Sequence, residues 1–331
     1  MERIITAWGK ILRGYRPSLS IEITRECPLR CPGCYAYGDA HLGGDVTLRQ
    51  VTDYKGQELI DRLLAIVDKE NPIQVSIVGG EPLVRFRELN AILPKLAERG
   101  IYTHLVTSAV RPIPAEWASI RRLHICVSID GLQPEHDVRR APATYDRILT
   151  HIAGHQITVH CTVTRQQVQR DGYLEEFVRF WSANPDTSQI WVSLYTPQMG
   201  EVSDEILTPS DRERVIAALM SLRGTYPKLA MRPGLIAQFA TPPQSPDDCV
   251  FARTTTCVSA DFEHRITPCQ FGGNPDCSQC GCMASAGLSA IGAHRLPGGV
   301  RVGAIFDTSL RIGRALRNRR ASADTPALSG V

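Results

Sequence analysis

The chain has 331 residues, of which 43% are hydrophobic, and a formal net charge of +3. This length suffices for one large globular domain with an appendage, and the small net charge excludes a general electrostatic attraction to nucleic acid. The sequence contains no signal peptide and no apolar run near the roughly 20 residues that a membrane-spanning helix needs. We therefore expect a cytoplasmic protein without a nucleic-acid partner.

Cysteine usage points to metal binding. The chain contains 11 cysteines, and most of them fall in two tight groups, one near the N-terminus and one between Cys249 and Cys282. Tight groups of thiols suit metal ligation better than disulfides, and they favour a reducing compartment.

The first segment of the chain has the pattern of an amphipathic helix. Ile5, Trp8 and Ile11 recur at helical spacing, while Lys10 and Arg13 take other faces. We favour a helix docked on the main domain, with a helix on an anionic membrane surface, and hence a peripheral location, as the alternative. Four segments follow from this reading: an amphipathic segment at 1–17, a core at 18–225, a cysteine-rich region at 226–290, and a basic tail at 291–331 that includes Arg311, Arg314 and Arg317.

From Ser18 onward, short β-branched runs alternate with longer helical patterns. The predicted strands are 19–24, 74–78, 102–107, 124–129, 158–164 and 190–195. The predicted helices are 51–69, 86–99, 115–121, 145–155, 173–181 and 210–223. Six strands that are each followed by a helix predict an α/β fold with a parallel sheet, either open and doubly wound or curled into a partial barrel. In both cases ligands collect at the carboxyl ends of the strands.

The residues at these strand ends carry the functional signal. The first strand leads into Cys27, Cys31 and Cys34, spaced CxxxCxxC. Three thiols can hold three irons of a four-iron four-sulfur cluster and leave the fourth iron open to a ligand. The second strand ends in Gly79-Gly80-Glu81-Pro82, where the glycines allow close approach of a ligand and Glu81 adds a carboxylate for an amino group.

Later strand ends add polar groups. Ser108 follows the third strand, Ser128 and Asp130 end the fourth, and all three offer hydroxyl or carboxylate acceptors for a sugar. Arg165 follows the fifth strand and is a candidate partner for a carboxylate.

Together, CxxxCxxC after the first strand and Gly79-Gly80-Glu81-Pro82 after the second resemble the radical S-adenosylmethionine (radical SAM) superfamily. The run Ser128 to Gly131, followed by His136 and Arg139, is similar to the subgroup that modifies peptides and proteins. This resemblance implies a six-stranded (β/α)6 partial TIM barrel. The position before the third cysteine, usually aromatic in the family, is Gly33 here.

The resemblance also implies cofactors and chemistry. Cys27, Cys31 and Cys34 would ligate the cluster, and SAM would chelate its open iron. Gly79, Gly80 and Glu81 would line the methionine end of SAM, with Pro82, Ser108, Ser128, Asp130 and Arg165 completing the cofactor site. An electron from a donor such as flavodoxin or ferredoxin would cleave SAM to a 5′-deoxyadenosyl radical that abstracts a substrate hydrogen. A structural zinc site is the alternative for the three cysteines, but no fourth cysteine lies nearby.

The cysteine-rich region resembles the opening half of the auxiliary-cluster extensions called SPASM and twitch domains. We expect one auxiliary iron-sulfur cluster here, with a zinc ribbon as the alternative. Residues 261–268, which lie between Cys257 and Cys269, have the composition of a small hairpin. The candidate ligands are Cys257, Cys269, Cys277, Cys280 and Cys282, with Cys249 the least certain cysteine of the region.

Three hypotheses for function remain open. The first is a radical SAM enzyme acting on a peptide, a protein or a related natural product. The second is a radical SAM enzyme acting on a lipid or isoprenoid, because of the amphipathic start and the basic tail. The third is a non-enzymatic iron-sulfur or zinc protein.

Overall fold

The architecture is a parallel sheet flanked by helices, and the computed structural model describes residues 2–142 and 144–323. Residues 324–331 of the basic tail, and the side chains of Arg314 and Arg317, lie outside the described residues. The strands are β1 Ser18–Glu22, β2 Gln74–Val78, β3 Tyr102–Thr107, β4 Leu123–Ser128, β5 Ile157–Val163, β6 Thr187–Leu194 and β7 Thr255–Val258. Their order in the sheet is β6-β5-β4-β3-β2-β1-β7.

The parallel α/β sheet is confirmed, but the prediction of six strands is wrong, because the described residues form a sheet of seven. The additional strand, β7, lies in the cysteine-rich region and pairs in parallel with β1, with Cys257 opposite Ser20. Four residues without an adjoining helical pattern are too weak a signal to identify a strand in sequence. Pairing with an existing edge supplies the hydrogen bonds that stabilise it.

The helices lie between and after the strands. They are α1 Glu2–Leu12, α2 Gly56–Glu70, α3 Phe86–Glu98, α4 Glu135–Arg139, α5 Tyr145–His151, α6 Arg165–Val168, α7 Tyr173–Ala183, α8 Pro209–Thr225, α9 Pro233–Gln238, α10 Val250–Thr254, α11 Met283–Ala293 and α12 Val302–Ala323. The helix predicted at 115–121 is instead the 3-10 helix Ala115–Ser119, which follows Pro114. Further 3-10 turns occupy Tyr35–Tyr37, Pro82–Arg85 and Cys277–Gln279.

The core lies between the sheet and its helices. Alternate strand residues such as Leu19, Ile21, Val75 and Ile77 are buried against the apolar face of the helices, including Leu63. The face of the sheet that packs against the helices is therefore apolar. Polar groups are found in the loops at the carboxyl ends of the strands.

The amphipathic first helix packs against α12, which lies in the segment predicted as a basic tail. Its Trp8 Nε1 donates a hydrogen bond to Ser309 Oγ of α12, and Ile11 is buried. Gly313 of α12 allows this contact, since a Cβ there would lie 2.0 Å from the Ile11 carbonyl oxygen. Ile5 remains 61% exposed. None of the helices described has the length and apolar character needed to cross a bilayer.

Candidate active site at the carboxyl end of the sheet

The first cysteine group occupies the loop after β1. The Leu29 N–H donates to the Cys27 sulfur at 3.4 Å, and Cys34 precedes the 3-10 turn Tyr35–Tyr37. Burial raises the pKa of the Cys27 thiol to about 12 against the opposing effect of the Leu29 amide, and nearby Glu81, Cys31 and Cys34 raise it further. Thiols that are this close cannot all ionise without a compensating cation, so the loop is suited to holding cationic iron.

The Gly79-Gly80 turn after β2 packs directly against this loop. Both glycines have positive φ, +77° and +54°, and a Cβ on Gly80 would lie 2.4 Å from the Glu26 carbonyl oxygen. A Cβ on Gly79 would lie 2.2 Å from Cβ of Glu22. Glycine is therefore required at both positions for the turn to reach the chain just before Cys27.

Glu81 is buried and its carboxylate is bound by the protein. Oε1 accepts hydrogen bonds from the Leu83 N–H at 2.9 Å and from Thr107 Oγ1, and Oε2 accepts from the Ser108 N–H at 2.8 Å. Burial raises the pKa of this carboxyl group, although these donors oppose the rise. Glu81 thus ties the end of β2 to the end of β3, and the following Pro82 begins a buried 3-10 turn.

An ion pair between the partly buried Arg140 and the buried Asp130 continues the network across the next strand ends. Arg140 donates from Nε to Asp130 Oδ2 at 2.8 Å and from Nη1 to Ser108 Oγ at 3.0 Å. Asp130 Oδ1 accepts from the Thr162 N–H at 3.0 Å. Burial alone would raise the pKa of Asp130, but Arg140 and Arg139 outweigh it and hold the pKa at about 2. The carboxylate is therefore ionised.

Arg140 also lies beside the cysteine loop. The Arg30 N–H donates to the Ala141 carbonyl at 2.9 Å, which holds the residue after Arg140 against the chain between Cys27 and Cys31. The Arg140 charge opposes the rise that burial causes in the pKa values of Cys31 and Cys34. The site therefore contains a fixed cation where thiolate charge would accumulate.

Ser128 and Arg165, two further residues predicted to bind the cofactor, differ in their exposure to solvent. Ser128 is the buried last residue of β4 and lies opposite His160 of β5. The Arg165 side chain is 47% exposed and forms an ion pair with Asp211 of α8 at 3.5 Å. The guanidinium that accompanies the cysteine loop is that of Arg140 rather than that of Arg165.

The auxiliary cysteines are brought together by the tertiary structure. Burial raises the pKa of both Cys257 and Cys269 to about 12, and each thiol has another cysteine of the region among its charged neighbours. Cys282 neighbours Cys280 and Cys269, and burial raises its pKa as well. Cys277 begins a 3-10 turn near Cys280 and Cys249. All five candidate ligands therefore lie in one region.

In the segment 261–268, where a hairpin was expected, the chain reverses direction and pairs with the end of β7. Val258 and Arg265 form an antiparallel bridge, and the Ile266 N–H donates to the Cys257 carbonyl at 3.0 Å.

Among residues 2–142 and 144–323, no three His, Cys, Asp or Glu side chains converge closely enough to hold one ion. Ligands of a four-iron cluster do not have to converge in this way, because each cysteine coordinates a different iron. The donor set and its burial fit iron-sulfur clusters.

Sequence reasoning missed several residues of the site. Arg140 follows Arg139, but no pattern separates a buried arginine from a solvated one. Asp211 and Arg212 begin the helix predicted at 210–223, and charged residues at a helix start are typical of a solvated surface. Asp211 is in fact buried, and Arg212 Nη1 donates to the carbonyls of Phe239 at 2.9 Å and Cys280 at 3.2 Å.

His41 was also missed as part of a buried pair. Its Nε2 lies 2.8 Å from Glu22 Oε1, and its Nδ1 lies 3.0 Å from the Phe271 carbonyl oxygen. Burial lowers the pKa of His41, but the Glu22 carboxylate outweighs it, so the pKa is raised. The pair joins the end of β1, the first cysteine loop and the auxiliary region.

Comparison with known proteins places this site in a family context. Residues 21–163 match the sequence profile of the radical SAM superfamily. A PqqA peptide cyclase from Bradyrhizobium diazoefficiens is 30% identical over 116 residues, which cover 34% of this chain and 28% of that protein. A probable GTP 3′,8-cyclase from Methanocella arvoryzae is 26% identical over 155 residues, which cover 45% of each chain. The matched region is thus less than half of either relative.

The fold has a counterpart among solved structures. SuiB of Streptococcus suis, bound to its precursor peptide SuiA, superposes with a TM-score of 0.59 over 86% of this chain and 67% of that chain. The two sequences are 14% identical, so the likeness concerns the fold alone.

Proposed function

We propose that this chain, whose residues 21–163 form a radical SAM domain, is an enzyme that modifies a peptide substrate. The cofactors of this superfamily are a four-iron four-sulfur cluster and SAM, and the cysteine-rich C-terminal region fits an auxiliary cluster. When bound, they supply reductive cleavage of SAM and abstraction of a substrate hydrogen by the 5′-deoxyadenosyl radical.

The observation that carries the proposal is the meeting of three features at one end of the sheet. The loop of Cys27, Cys31 and Cys34 contacts the Gly79-Gly80 turn, and the Arg140 guanidinium lies beside both Ser108 and this loop. Cysteines would hold the cluster, the peptide groups of the glycine turn would receive the amino-acid end of SAM, and the partly buried Arg140 cation would balance its carboxylate.

Each residue then has a distinct task. Arg140, held by Asp130 and Ser108, would pair with the SAM carboxylate, which is the role expected of Arg165 from sequence. Glu81 would act by orienting the Gly79-Gly80 turn, since both of its oxygens already accept hydrogen bonds from the protein. Ser128 and Asp130 remain candidates for the ribose end.

A peptide is the substrate class with the most support. The PqqA peptide cyclase is similar to 34% of this chain, and SuiB, whose structure holds a precursor peptide, shares the fold. A one-electron donor such as flavodoxin or ferredoxin belongs to the same proposal, since the chemistry starts with an electron. No observation on the described residues favours the lipid hypothesis.

The test is anaerobic turnover of the reconstituted protein. With SAM and a chemical reductant, wild-type protein should release 5′-deoxyadenosine, and Cys34→Ala should not. Deuterated peptides should transfer deuterium to 5′-deoxyadenosine, with GTP as the comparison substrate. Absence of 5′-deoxyadenosine from protein with a full cluster content would refute the enzyme, whereas faster release with GTP than with peptide would refute the peptide assignment alone.

A further inference from the structure

We propose that the outer face of the first cysteine loop is the docking surface for an acidic one-electron carrier protein, which seats a side chain beside Pro28 and Leu29 and pairs its carboxylates with the arginines around them. This inference rests on the proposed function in one respect, since that chemistry begins with an electron from outside the chain. It adds where the carrier binds and which charges select it. The transfer moves one electron from the carrier, which is oxidised, to the centre held by the three cysteines, which is reduced.

The surface begins in the segment between the first two cysteines. The Leu29 N–H donates to the Cys27 sulfur at 3.4 Å, so this residue contacts one of the ligands predicted for the cluster. Pro28 and Arg30, on either side of Leu29, are exposed. The segment therefore connects a sulfur of the site to the outside of the molecule.

An apolar pocket of about 110 Å³ lies against this segment. Pockets that bind cofactors and other small molecules occupy roughly 300–1,000 Å³, so this one has room for a side chain rather than for a ligand of that kind. A side chain of a bound protein fits it. The apolar walls are formed by Pro28, Leu29, Ala109, Val110, Pro142 and Ile148.

Hydrogen bonds hold the walls of this pocket in place. The Arg30 N–H donates to the Ala141 carbonyl oxygen at 2.9 Å, which fixes the chain before α5 against the cysteine loop. His151 Nδ1 of α5 lies 2.7 Å from the Ala109 carbonyl oxygen, and this hydrogen bond joins the helix to the loop after β3. Because the pocket is formed by the chain itself, association does not have to order it.

Arginines surround the pocket. Arg147 of α5 is a lining residue, and Arg30 and Arg111 each directly follow one. The Arg111 guanidinium carbon lies 3.5 Å from the centre of the Phe86 ring, and that of the exposed Arg87 lies 5.7 Å from the same ring. Four cations from separate parts of the chain therefore gather around one apolar pocket.

These four cations are not neutralised by the protein itself. Among residues 2–142 and 144–323, no ion pair involves any of them. The carboxylate beside the first cysteine, that of Glu26, is already paired with Lys55 at 2.7 Å and with Arg85 at 2.9 Å. Asp146, the acid of α5, directly precedes Arg147, and adjacent positions of a helix do not face each other. The surface therefore keeps its positive charge.

Two more arginines extend this charge to the other flank of the loop. Arg25, two residues before Cys27, donates to the carbonyl oxygens of Arg49 at 2.6 Å and Val51 at 3.0 Å. The exposed Arg49 guanidinium carbon lies 4.2 Å from the centre of the Tyr37 ring. Neither arginine has a carboxylate partner in the described part of the chain. The whole chain has a net charge of only +3, so these arginines are a local concentration of charge.

Charge complementarity selects the occupant of this surface. Cations around an apolar pocket attract a protein that presents carboxylates around an apolar contact. An electron carrier is favoured over an acidic segment of the substrate, because the surface contacts a cysteine sulfur through Leu29. Gly79, Gly80 and Arg140, which are proposed to receive SAM, do not line the pocket. Complexes of electron carriers are small and transient, which suits a charged surface with room for one side chain.

Anaerobic turnover of the reconstituted full chain with two electron sources tests the surface. Arg87→Glu combined with Arg147→Glu should raise the KM for reduced flavodoxin by about tenfold or more, because the charges that attract the carrier are reversed. Release of 5′-deoxyadenosine with titanium(III) citrate should stay within about twofold of wild type, since this reductant needs no docking surface.

Arg179→Glu combined with Arg223→Glu is the matched control. It makes the same change in net charge at exposed arginines of α7 and α8, and it should behave as wild type with both electron sources. Added salt should raise the KM for flavodoxin in wild type and in this control, and much less in the Arg87→Glu/Arg147→Glu variant.

Direct binding separates the surface from the proposed function. Calorimetry should show that flavodoxin binds the Arg87→Glu/Arg147→Glu variant at least about tenfold more weakly than wild type. Equal binding and equal flavodoxin-driven rates would overturn the docking surface. Loss of the titanium(III)-driven rate with unchanged flavodoxin binding would assign these arginines to the substrate and also overturn it. Absence of 5′-deoxyadenosine from wild type with titanium(III) citrate would overturn the proposed function alone, and the binding measurement would then decide the surface.

Discussion

The hydroxyl of Tyr195 lies 2.4 Å from the position that a Cβ on Gly33 would occupy. Tyr195 directly follows β6, and its hydroxyl donates to Glu201 Oε1 at 2.6 Å. Gly33 is the residue before the third cysteine of the first group, with φ +60°. The end of the sixth strand thus fills the space over the cysteine loop that the absence of a side chain at position 33 leaves open.

Gly33→Ala should therefore damage the first cluster site. The new methyl group clashes with the Tyr195 hydroxyl, and alanine is strained at this positive φ. Together these two effects should lower the free energy of unfolding by about 2 kcal/mol or more. We expect lower iron and sulfide content after reconstitution. Gly43→Ala is the matched control, because Gly43 also has positive φ and no atom within 4 Å of a Cβ.

Removal of the Tyr195 hydroxyl should partly rescue this variant. Gly33→Ala combined with Tyr195→Phe keeps the contact at 3.2 Å with the ring but removes the one at 2.4 Å. Iron content no higher in the double variant than in Gly33→Ala would contradict the steric explanation.

If the proposed function holds, Gly80→Ala should lower the affinity of the reconstituted protein for SAM. Its Cβ would meet two carbonyl oxygens of the preceding loop, those of Glu26 at 2.4 Å and Thr24 at 2.6 Å, so the turn must move away. We expect a loss of about tenfold or more in binding, measured by calorimetry. Gly154→Ala has positive φ without a clash and should bind SAM normally, and equal losses in both variants would show that backbone strain alone is responsible.

Glu81→Gln should destabilise the protein although it preserves size. The carboxylate accepts from Thr107, Leu83 and Ser108, whereas an amide offers one acceptor oxygen and places its NH2 group against a donor. An unsatisfied buried group of this kind costs about 1–3 kcal/mol in the free energy of unfolding. Urea unfolding of the metal-free chain measures it, and a change below about 0.5 kcal/mol would show that the network carries little stability.

Arg140→Met should weaken SAM binding far more than Arg165→Met. The first variant loses an ion pair between the partly buried Arg140 and the buried Asp130, whereas Arg165 is half exposed and already paired with Asp211. We expect at least about a tenfold rise in the dissociation constant for Arg140→Met and little change for Arg165→Met. The opposite ranking would restore Arg165 as the partner of the carboxylate.

Acid should destabilise the chain through His136. This residue is fully buried, and its Nδ1 accepts the Asp130 N–H at 3.2 Å. Burial, with a smaller effect of Arg140, lowers its pKa from 6.5 to about 4. Between these values the unfolded chain binds a proton that the folded chain does not, so the free energy of unfolding falls as the pH falls.

The matched variant is His136→Asn, which keeps an acceptor for the Asp130 amide but cannot titrate. The metal-free wild type should lose up to about 3 kcal/mol more than this variant between pH 6.5 and pH 4. Equal losses in urea unfolding at both pH values would contradict the assignment.

Sequence patterns predicted the long buried strands of the sheet more accurately than the short strand at its edge. The strands at 74–78 and 102–107 were predicted with the bounds of β2 and β3, because β-branched runs bounded by glycine or polar residues identify buried parallel strands. The segment at 226–290 has little periodicity, and its short strand β7 was missed, because β7 is stabilised by its partner β1.

The sequence by itself determined the parallel α/β fold, the two groups of cysteines and the resemblance that the profile match at residues 21–163 repeats, because these depend on periodicity and on close spacing along the chain. The tertiary structure alone decided that Arg140 rather than Arg165 accompanies the first cysteines, that Tyr195 reaches Gly33, and that Cys257 lies in a strand paired with β1. These relationships join residues far apart in sequence, and burial and contact across the sheet have no local signature in the chain.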